Sequence, residues 1–259
     1  MIKFFRKIRQ NLLESLPAEQ AGNKIGSYLT YAIGEIVLVV IGILIALSIN
    51  TWNEERKEKS IVKNLLKNIR YDLVADTVKF SSDIKRIPVI FGDAKFLLNS
   101  SALDTLSANS LFDRLPYTTF IYRVKNQSYQ KVINAGITDF FEFNDLFDDI
   151  NTYFTVQSDL YNNATKWDID DTINDGKQWF ARGFEIDIFE GTLYKENDIK
   201  FAHSEATRKA IFIEQMNSSD LRNSIKMNMY RKMSLNQSLN NMKESAKAII
   251  LKINEQLED

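Results

Sequence analysis

Glu35 is the residue whose position most suggests chemistry, because it is the only charged residue in the apolar run 29–49. A helix rises about 1.5 Å per residue, so this run would cover roughly 30 Å, the thickness of a bilayer's hydrocarbon core. Glu35 would then lie roughly 10 Å deep. Ionisable groups at such depth face a partner helix or water, or carry a proton, and some couple proton flow to work. The alternative is a carboxylate that reaches the cytoplasmic surface or helps assembly.

Small residues accompany Glu35 along the same run. Gly42 and Ala46 form a small-xxx-small pair, and Gly34 with Leu38 extends the four-residue spacing. Small side chains let two helix backbones approach closely, which favours association in lipid. We therefore expect an intramembrane contact through Gly34, Glu35, Gly42 and Ala46, made with a second copy or with another membrane protein. A chance spacing of small residues is the alternative interpretation.

The acidic tract 168–176 has the composition of a calcium site, because hard cations prefer clustered oxygen ligands. It fails the spacing of an EF-hand loop, however. If Gly176 is the sixth position, then Ile173 is the third and Arg182 the twelfth, and neither can ligate calcium. We predict a solvated acidic loop, with no metal and no cofactor.

Other reaction centres are poorly supported. His203 is the only histidine and cysteine is absent, which excludes a histidine-based triad, a multi-histidine metal site and a thiol nucleophile within one chain. Acidic pairs such as Glu142 with Asp145, or Asp148 with Asp149, could serve a glycosidase. Their spacing is equally that of a solvated helix face, so we expect no enzymatic activity.

The elements that would position these residues begin with the apolar run itself. In lipid every backbone polar group must be paired within the segment, so the run predicts one transmembrane helix over 29–50. It divides the chain into a basic amphipathic leader, 1–28, and a soluble domain, 51–259. A cleaved signal peptide is the alternative, with Ala46-Leu47-Ser48 as a cleavage site.

Charge predicts the orientation of the span. The leader carries five basic residues against Glu14 and Glu19, and positive flanks are retained in the cytoplasm. We expect a cytoplasmic N-terminus, a bacterial inner-membrane span and a periplasmic domain. The soluble part is mildly acidic, which argues against nucleic-acid binding. The lipid bilayer is therefore the partner that the sequence indicates most directly.

Periodicity predicts a mainly α fold. Nine Gly and three Pro are few, and an apolar stripe follows the span until Pro88, where we expect the helix to end. The last helix carries a heptad-like spacing typical of a coiled coil. The expected fold is an N-terminal transmembrane helix followed by an extracytoplasmic antiparallel helical bundle with long first and last helices.

The intervening segments are predicted more coarsely, from composition and weaker periodicity. We expect a break at 99–101, an extended piece from Pro116, helices at 128–135 with Gly136 as C-cap, at 144–162, at 204–217 with Ser204 as N-cap, and at 219–257. Residues 163–203 are read as an irregular excursion between helices. Trp167 and Trp179 in that excursion are candidates for an exposed binding surface.

Two stretches resemble a known family. MIKFFRKIRQ at 1–10 and YLTYAIGEIVLVVIGILIALSINTWNEERK at 28–57 are similar to the N-terminal signature of a large family of Bacteroidota membrane proteins of unknown function. NQSYQKVINAG at 126–136 resembles a later, weaker pattern of that family. The resemblance implies an inner-membrane anchor and an outward, mostly helical domain, and it implies no activity.

These observations leave two main functional hypotheses. The first is a scaffold or accessory subunit that joins an envelope complex through its span and a partner through its bundle. The second is a sensory or ligand-binding module with a pocket in the bundle. An enzyme is disfavoured because no nucleophile–base pair or metal constellation is visible in the sequence.

Overall fold

The computed structural model describes residues 24–186 and 201–258, with side chains from residue 31 onward. The described residues form helices and contain no strand. The helices are α1 Lys24–Asn99, α2 Ala108–Phe112, α3 Gln127–Asn134, α4 Asn144–Thr152, α5 Ser158–Ala181, α6 Glu205–Gln215 and α7 Ser219–Glu258. Single turns of 3-10 helix lie at Leu103–Thr105 and Phe141–Phe143, and a π-helical turn at Tyr153–Gln157 joins α4 to α5. The mainly α prediction is confirmed.

The chain divides into two compact units, Met1–Glu58 and Lys59–Asp259. The described part of the first unit is the start of α1, which is long and apolar enough to cross a membrane. None of its apolar side chains from Tyr31 to Ile49 is buried by the protein. Such a surface is stable in hydrocarbon and costly in water, so the fold favours membrane anchoring. The predicted leader, 1–28, lies mostly outside the described residues.

In the second unit the long first and last helices run antiparallel. The Arg70 guanidinium donates to the Asn254 side-chain oxygen at 3.0 Å. Farther along, Arg222 donates to the Leu98 carbonyl at 2.8 Å. Residue numbers thus rise on α1 as they fall on α7, which confirms the predicted pairing.

Burial follows the 3-4 spacing that the sequence predicts for α7. Its buried apolar residues past the middle are Leu235, Leu239, Met242, Ala246, Ile249 and Ile253. The facing stripe of α1 comprises Val62, Leu66, Ile69, Leu73, Phe80 and Ile87. Each fully buried side chain of this size contributes about 1.5–3 kcal/mol, so this seam is the main apolar contribution to stability.

The apolar interior forms two clusters. The first contains the seam just described together with Phe120, Tyr129 and Tyr153. The second cluster lies where α1 ends and α7 begins. It contains Trp179 stacked on Phe212, with 4.6 Å between the ring centres. Between them, α5 and α7 face each other with polar residues.

The predicted helix end at Pro88 is wrong. Helix α1 continues through Pro88 to Asn99. Proline removes one backbone donor and crowds the preceding turn, but Ile87, Ala94 and Leu97 are buried on both sides of it. Packing therefore overrides the local preference. The predicted break at 99–101 is confirmed.

The predicted excursion over 163–203 is also wrong in its described first part. Residues 158–181 form α5, whose buried positions are Ser158, Tyr161, Thr165, Asp168, Thr172, Asp175 and Trp179. These have the 3-4 spacing of a helix packed along one stripe, but most are polar. A hydrophobicity pattern cannot detect a buried stripe made of polar residues. The second part of the excursion, 187–200, lies outside the described residues.

Two predicted caps are confirmed. Gly136 has a φ of 65° just after α3, a left-handed conformation that glycine adopts without steric cost. Ser204 accepts a hydrogen bond from the Thr207 amide at 3.2 Å and starts α6. The predicted helices at 128–135, 204–217 and 219–257 are present within one or two residues.

Replacing the helix-breaking proline should stabilise the second unit. Pro88 is exposed and lies inside α1. Pro88→Ala restores a backbone donor, and we expect it to raise the free energy of unfolding by about 1–3 kcal/mol. Denaturant unfolding of the full-length protein in detergent measures this. Val89→Ala, at the neighbouring exposed position, is the matched control and should change it by less than about 0.5 kcal/mol. A destabilised Pro88→Ala would show that the proline is needed for the helix path.

Candidate functional site: a buried polar layer in the bundle

The most unusual feature of the bundle is a layer of charged and polar side chains between its two apolar clusters. We call this the polar layer. Its members are Asp168, Thr172 and Asp175 of α5 and Asn228, Arg231 and Lys232 of α7, all of them buried. Charged residues are seldom fully buried unless paired, so their partners decide what the layer can do.

Asp168 and Lys232 form a fully enclosed ion pair. The Lys232 ammonium donates to both carboxylate oxygens of Asp168, at 2.6 and 2.7 Å. Their side chains are 1% and 0% exposed. Burial raises the pKa of Asp168 and lowers that of Lys232, because loss of water disfavours each charge, while their mutual attraction acts in the opposite direction. The Lys232 ammonium also lies 5.8 Å from the centre of the Phe120 ring.

Asp175 organises the other half of the layer. It accepts hydrogen bonds from the Arg231 guanidinium and from the Ser224 hydroxyl, the latter at 2.8 Å. The Tyr117 hydroxyl lies 2.8 Å from Ser224 and accepts from the Trp179 indole at 3.1 Å. A continuous hydrogen-bonded chain therefore connects an ion pair to the second apolar cluster. Burial raises the pKa of Tyr117, which keeps its hydroxyl protonated.

Asn228 fills the middle of the layer. Its side chain lies 2.9 Å from the Thr172 hydroxyl. With the amide oriented to satisfy all its neighbours, its nitrogen donates to the Pro116 carbonyl at 2.6 Å and its oxygen accepts from Thr172. The layer thus holds the start of the non-helical segment after α2 as well as two helices.

A further buried acid lies on the apolar seam of α1. Asp76 is 0% exposed and accepts from the Tyr122 hydroxyl at 2.6 Å, the Tyr153 hydroxyl at 2.9 Å and the Lys125 amide at 3.1 Å. Burial raises the pKa of Asp76, although these three donors oppose the shift. Burial and the nearby carboxylate raise the pKa of both tyrosines as well.

Asp72, one turn earlier on α1, caps a different helix. Its carboxylate accepts from the Ser128 amide at 3.0 Å, in the first turn of α3. A carboxylate there pairs an otherwise unsatisfied donor and interacts favourably with the helix dipole. The stretch at 126–136 is therefore a helix anchored to α1, and its Tyr129 donates to Asn151 at 2.5 Å.

These groups hold helices of the bundle together through pairs that the protein itself supplies. Each acid of the layer is neutralised by a base of the layer, and the fully enclosed pair has no access to substrate. Within the described ranges, no group of three or more His, Cys, Asp or Glu is arranged to hold a metal ion. The acidic tract 168–176 is part of α5, so the predicted solvated loop is wrong: Asp168 and Asp175 point inward to their partners.

A cleft lies at the end of the bundle where α1 stops. It has a volume of about 260 Å³ and is lined by the end of α1, the turn at Leu103–Thr105, the end of α6 and Arg222. The Arg222 guanidinium donates hydrogen bonds to the Leu98 carbonyl at 2.8 Å and to the Met216 carbonyl at 3.3 Å. The cleft is small for a ligand pocket, for which about 300–1,000 Å³ is usual.

The predicted intramembrane contact residues all lie on α1 in the first unit. All four are exposed, as expected for a helix face that contacts lipid or another helix: Gly34, Glu35, Gly42 and Ala46. A Cβ atom at Gly34 or Gly42 would have no atom of the described residues within 4 Å. The contact itself stays a prediction.

Two other predicted positions have different outcomes. Trp179 is 0% exposed and belongs to the second apolar cluster, so its assignment to an exposed surface is wrong. The Trp167 side chain is 40% exposed, in agreement with a surface position. Its ring lies edge-on to the Tyr230 ring, with 6.1 Å between the ring centres. His203 is half exposed, with its Nδ1 4.0 Å from Glu185.

Breaking the enclosed ion pair tests the role of the polar layer. Removing one partner strands a buried charge, so Lys232→Met alone should lower the free energy of unfolding by about 3–5 kcal/mol. Replacing both partners, Asp168→Leu with Lys232→Met, should recover most of that loss, since an apolar pair needs no neutralisation. Denaturant unfolding of the three full-length proteins measures this. A double variant as unstable as the single one would contradict the assignment.

Asp76 should give the fold a characteristic pH dependence. Its folded pKa is raised above the unfolded value of about 3.9, so the folded state binds more protons. The stabilising contribution is complete below the unfolded pKa and is lost as pH rises through the folded pKa. The unfolding free energy of the wild type relative to Asp76→Asn should therefore fall as pH rises from about 4.

The control for this measurement is Asp148→Asn, which removes the same charge at an exposed position. Unfolding is followed at matched ionic strength for all three proteins. A wild-type advantage over Asp76→Asn that grows with rising pH would contradict the assigned shift.

Comparison with known proteins adds a family match over α1. No curated protein and no solved structure matches the chain. The matched stretch contains Glu35 of the apolar run and Asp72 and Asp76 of the bundle, and it supports the expected resemblance to a family of unknown function. Residues 35–88 are similar to the model of a family of unknown function, DUF6090.

Proposed function

We propose that this protein is a membrane-anchored scaffold or accessory subunit of an envelope complex. Residues 29–50 anchor it in the bacterial inner membrane, with the N-terminus in the cytoplasm and the helical domain in the periplasm. The role is non-enzymatic and needs no cofactor. Its partners are the bilayer, proteins that contact the span and proteins that contact the bundle.

The observation that carries the proposal is the internal pairing of the bundle's buried charges. Asp168 pairs with Lys232, and Asp175 pairs with Arg231. Both ion pairs hold α5 against α7. A domain built in this way holds its surface in one shape. A surface held in one shape can keep the complementary contacts that a partner protein needs.

The exposed face of the span supports the membrane half of the proposal. Glu35 lies beside Gly34 in a helix that is long and apolar enough to cross a membrane. A carboxylate in this setting is stabilised by a partner helix, and the small residues allow that helix to come close. We assign the span contact to Gly34, Glu35, Gly42 and Ala46.

Co-purification from native membranes in mild detergent tests the function. The tagged protein should elute with stoichiometric membrane partners, identified by mass spectrometry and by the mass of the intact complex. Gly42→Leu should reduce recovery of the span partner several-fold, since a bulky side chain keeps the two helix backbones from approaching closely. Glu35→Gln should weaken it as well if the carboxylate is used.

The matched control is Val40→Leu, a conservative change on the opposite side of the same helix. It should leave recovery unchanged. A protein that elutes alone, as a monomer or with only its own copies, would contradict the scaffold proposal.

A sensory or ligand-binding module is the second candidate, and the cleft at the end of α1 favours it. The cleft places Asp104 and Arg222 beside Leu97, Ile213 and Met216, a mixture of charged and apolar groups suited to a small amphipathic ligand. A rise in melting temperature with a small-molecule library member, abolished by Ile213→Trp, would favour this role over the scaffold.

A further inference from the structure

The cleft at the end of α1 is lined by one acidic and one basic side chain, Asp104 and Arg222. Asp104 lies in the turn Leu103–Thr105 and is exposed, whereas Arg222 lies near the start of α7 and is half-buried. Among the described residues, neither of these two side chains forms an ion pair. The cleft therefore presents both signs of charge to a ligand.

The walls of the cleft are held in place by bonds to backbone carbonyls. Arg222 ties the ends of α1 and α6 together through the Leu98 and Met216 carbonyls. The Lys209 ammonium donates to the backbone carbonyl of Asp104 at 2.9 Å, which ties the turn to α6. This bond engages the backbone of Asp104 rather than its carboxylate. A cleft whose walls are fixed in advance binds a ligand at a lower entropic cost.

Apolar side chains form half of the lining. Five of the ten lining residues are apolar: Leu97, Leu98, Leu103, Ile213 and Met216. Ser100, Ser101 and Asn217 add hydroxyl and amide groups. A ligand that matches this surface has an apolar body as well as polar ends.

The volume of the cleft limits the ligand to a small molecule. It measures about 260 Å³, and one water molecule occupies about 30 Å³ of the liquid. By this measure the cleft has room for roughly nine non-hydrogen atoms. This is the size of a single aliphatic amino acid, and it is too small for a nucleotide or a folded peptide.

The two charges select among small ligands. An anion without a positive group would be repelled by Asp104, and a cation without a negative group would be repelled by Arg222. A zwitterion satisfies both. A guanidinium carries five N–H donors in a fork that matches a carboxylate, and the aspartate carboxylate accepts hydrogen bonds from an ammonium group.

We propose that the cleft binds a free α-amino acid with an aliphatic side chain. The ligand's carboxylate accepts hydrogen bonds from Arg222, its ammonium group donates to Asp104, and its side chain packs against the apolar wall that contains Ile213. This inference rests on the ligand-binding role described above as the second candidate function, and it names the ligand class of the same cleft.

Isothermal titration calorimetry on the full-length protein in lipid nanodiscs tests the ligand class. The probes are L-leucine, N-acetyl-L-leucine, which lacks the ammonium group, L-leucinamide, which lacks the carboxylate, and glycine, which lacks the apolar side chain. L-leucine should bind, and each of the other three should bind about tenfold or more weakly. No binding of L-leucine at millimolar concentration, or equal binding of all four probes, would overturn the proposal.

A single substitution locates the ammonium group of the ligand. Asp104→Asn should weaken the binding of L-leucine by about tenfold or more and leave that of N-acetyl-L-leucine unchanged. Asp148→Asn removes the same charge at an exposed position outside the cleft and should keep wild-type affinity. Thermal melts check that both variants fold. An equal effect of the two substitutions, or an equal effect of Asp104→Asn on the two ligands, would overturn the assignment.

Ile213→Trp separates the failure of this inference from the failure of the ligand-binding function. The bulky side chain fills the cleft and should abolish the binding of L-leucine. Binding of a library compound of another class that Ile213→Trp abolishes, without binding of any amino acid, would overturn this inference and leave the ligand-binding function standing. A cleft that binds no small molecule of any class would overturn both.

Discussion

The ion pair between Asp168 and Lys232 is the interaction on which the arrangement of the bundle depends. An ammonium group with no access to water must be neutralised at hydrogen-bond distance, and only one register of α5 against α7 achieves this. Apolar residues alone tolerate neighbouring registers, because any methyl group can pack against another. The pair therefore contributes less to total stability than to the choice of one helix alignment.

The rest of the polar layer extends that constraint to non-helical segments. Asp175 binds Arg231 and Ser224, and Ser224 lies beside Tyr117 at the start of the non-helical segment 116–125. Asp76 binds the end of that segment through the Lys125 amide, and Asp72 binds the first turn of α3. Asp72 and Asp76 on α1 and Asp175 on α5 thus fix the path of residues 116–128 between α2 and α3.

The sequence by itself determined the features of the fold that depend on local residue patterns. The apolar run, the long first and last helices, the cap at Gly136 and the N-cap at Ser204 all follow from hydrophobic periodicity or from single-residue conformational preference. The heptad residues of α7 were identified in the same way, because each is apolar and each is buried.

Tertiary structure alone decided the rest, for a physical reason that these residues share. Asp168, Asp175 and Lys232 are polar by type, and their burial becomes favourable only when partners from another helix are in place. Pro88 disfavours a helix locally, yet apolar packing on either side of it keeps α1 intact. A tryptophan can serve equally in an exposed binding surface or in a core, and only the tertiary structure shows that Trp179 packs against Phe212. Long-range pairing sets each of these outcomes, and one chain's local pattern does not encode which partner will be present.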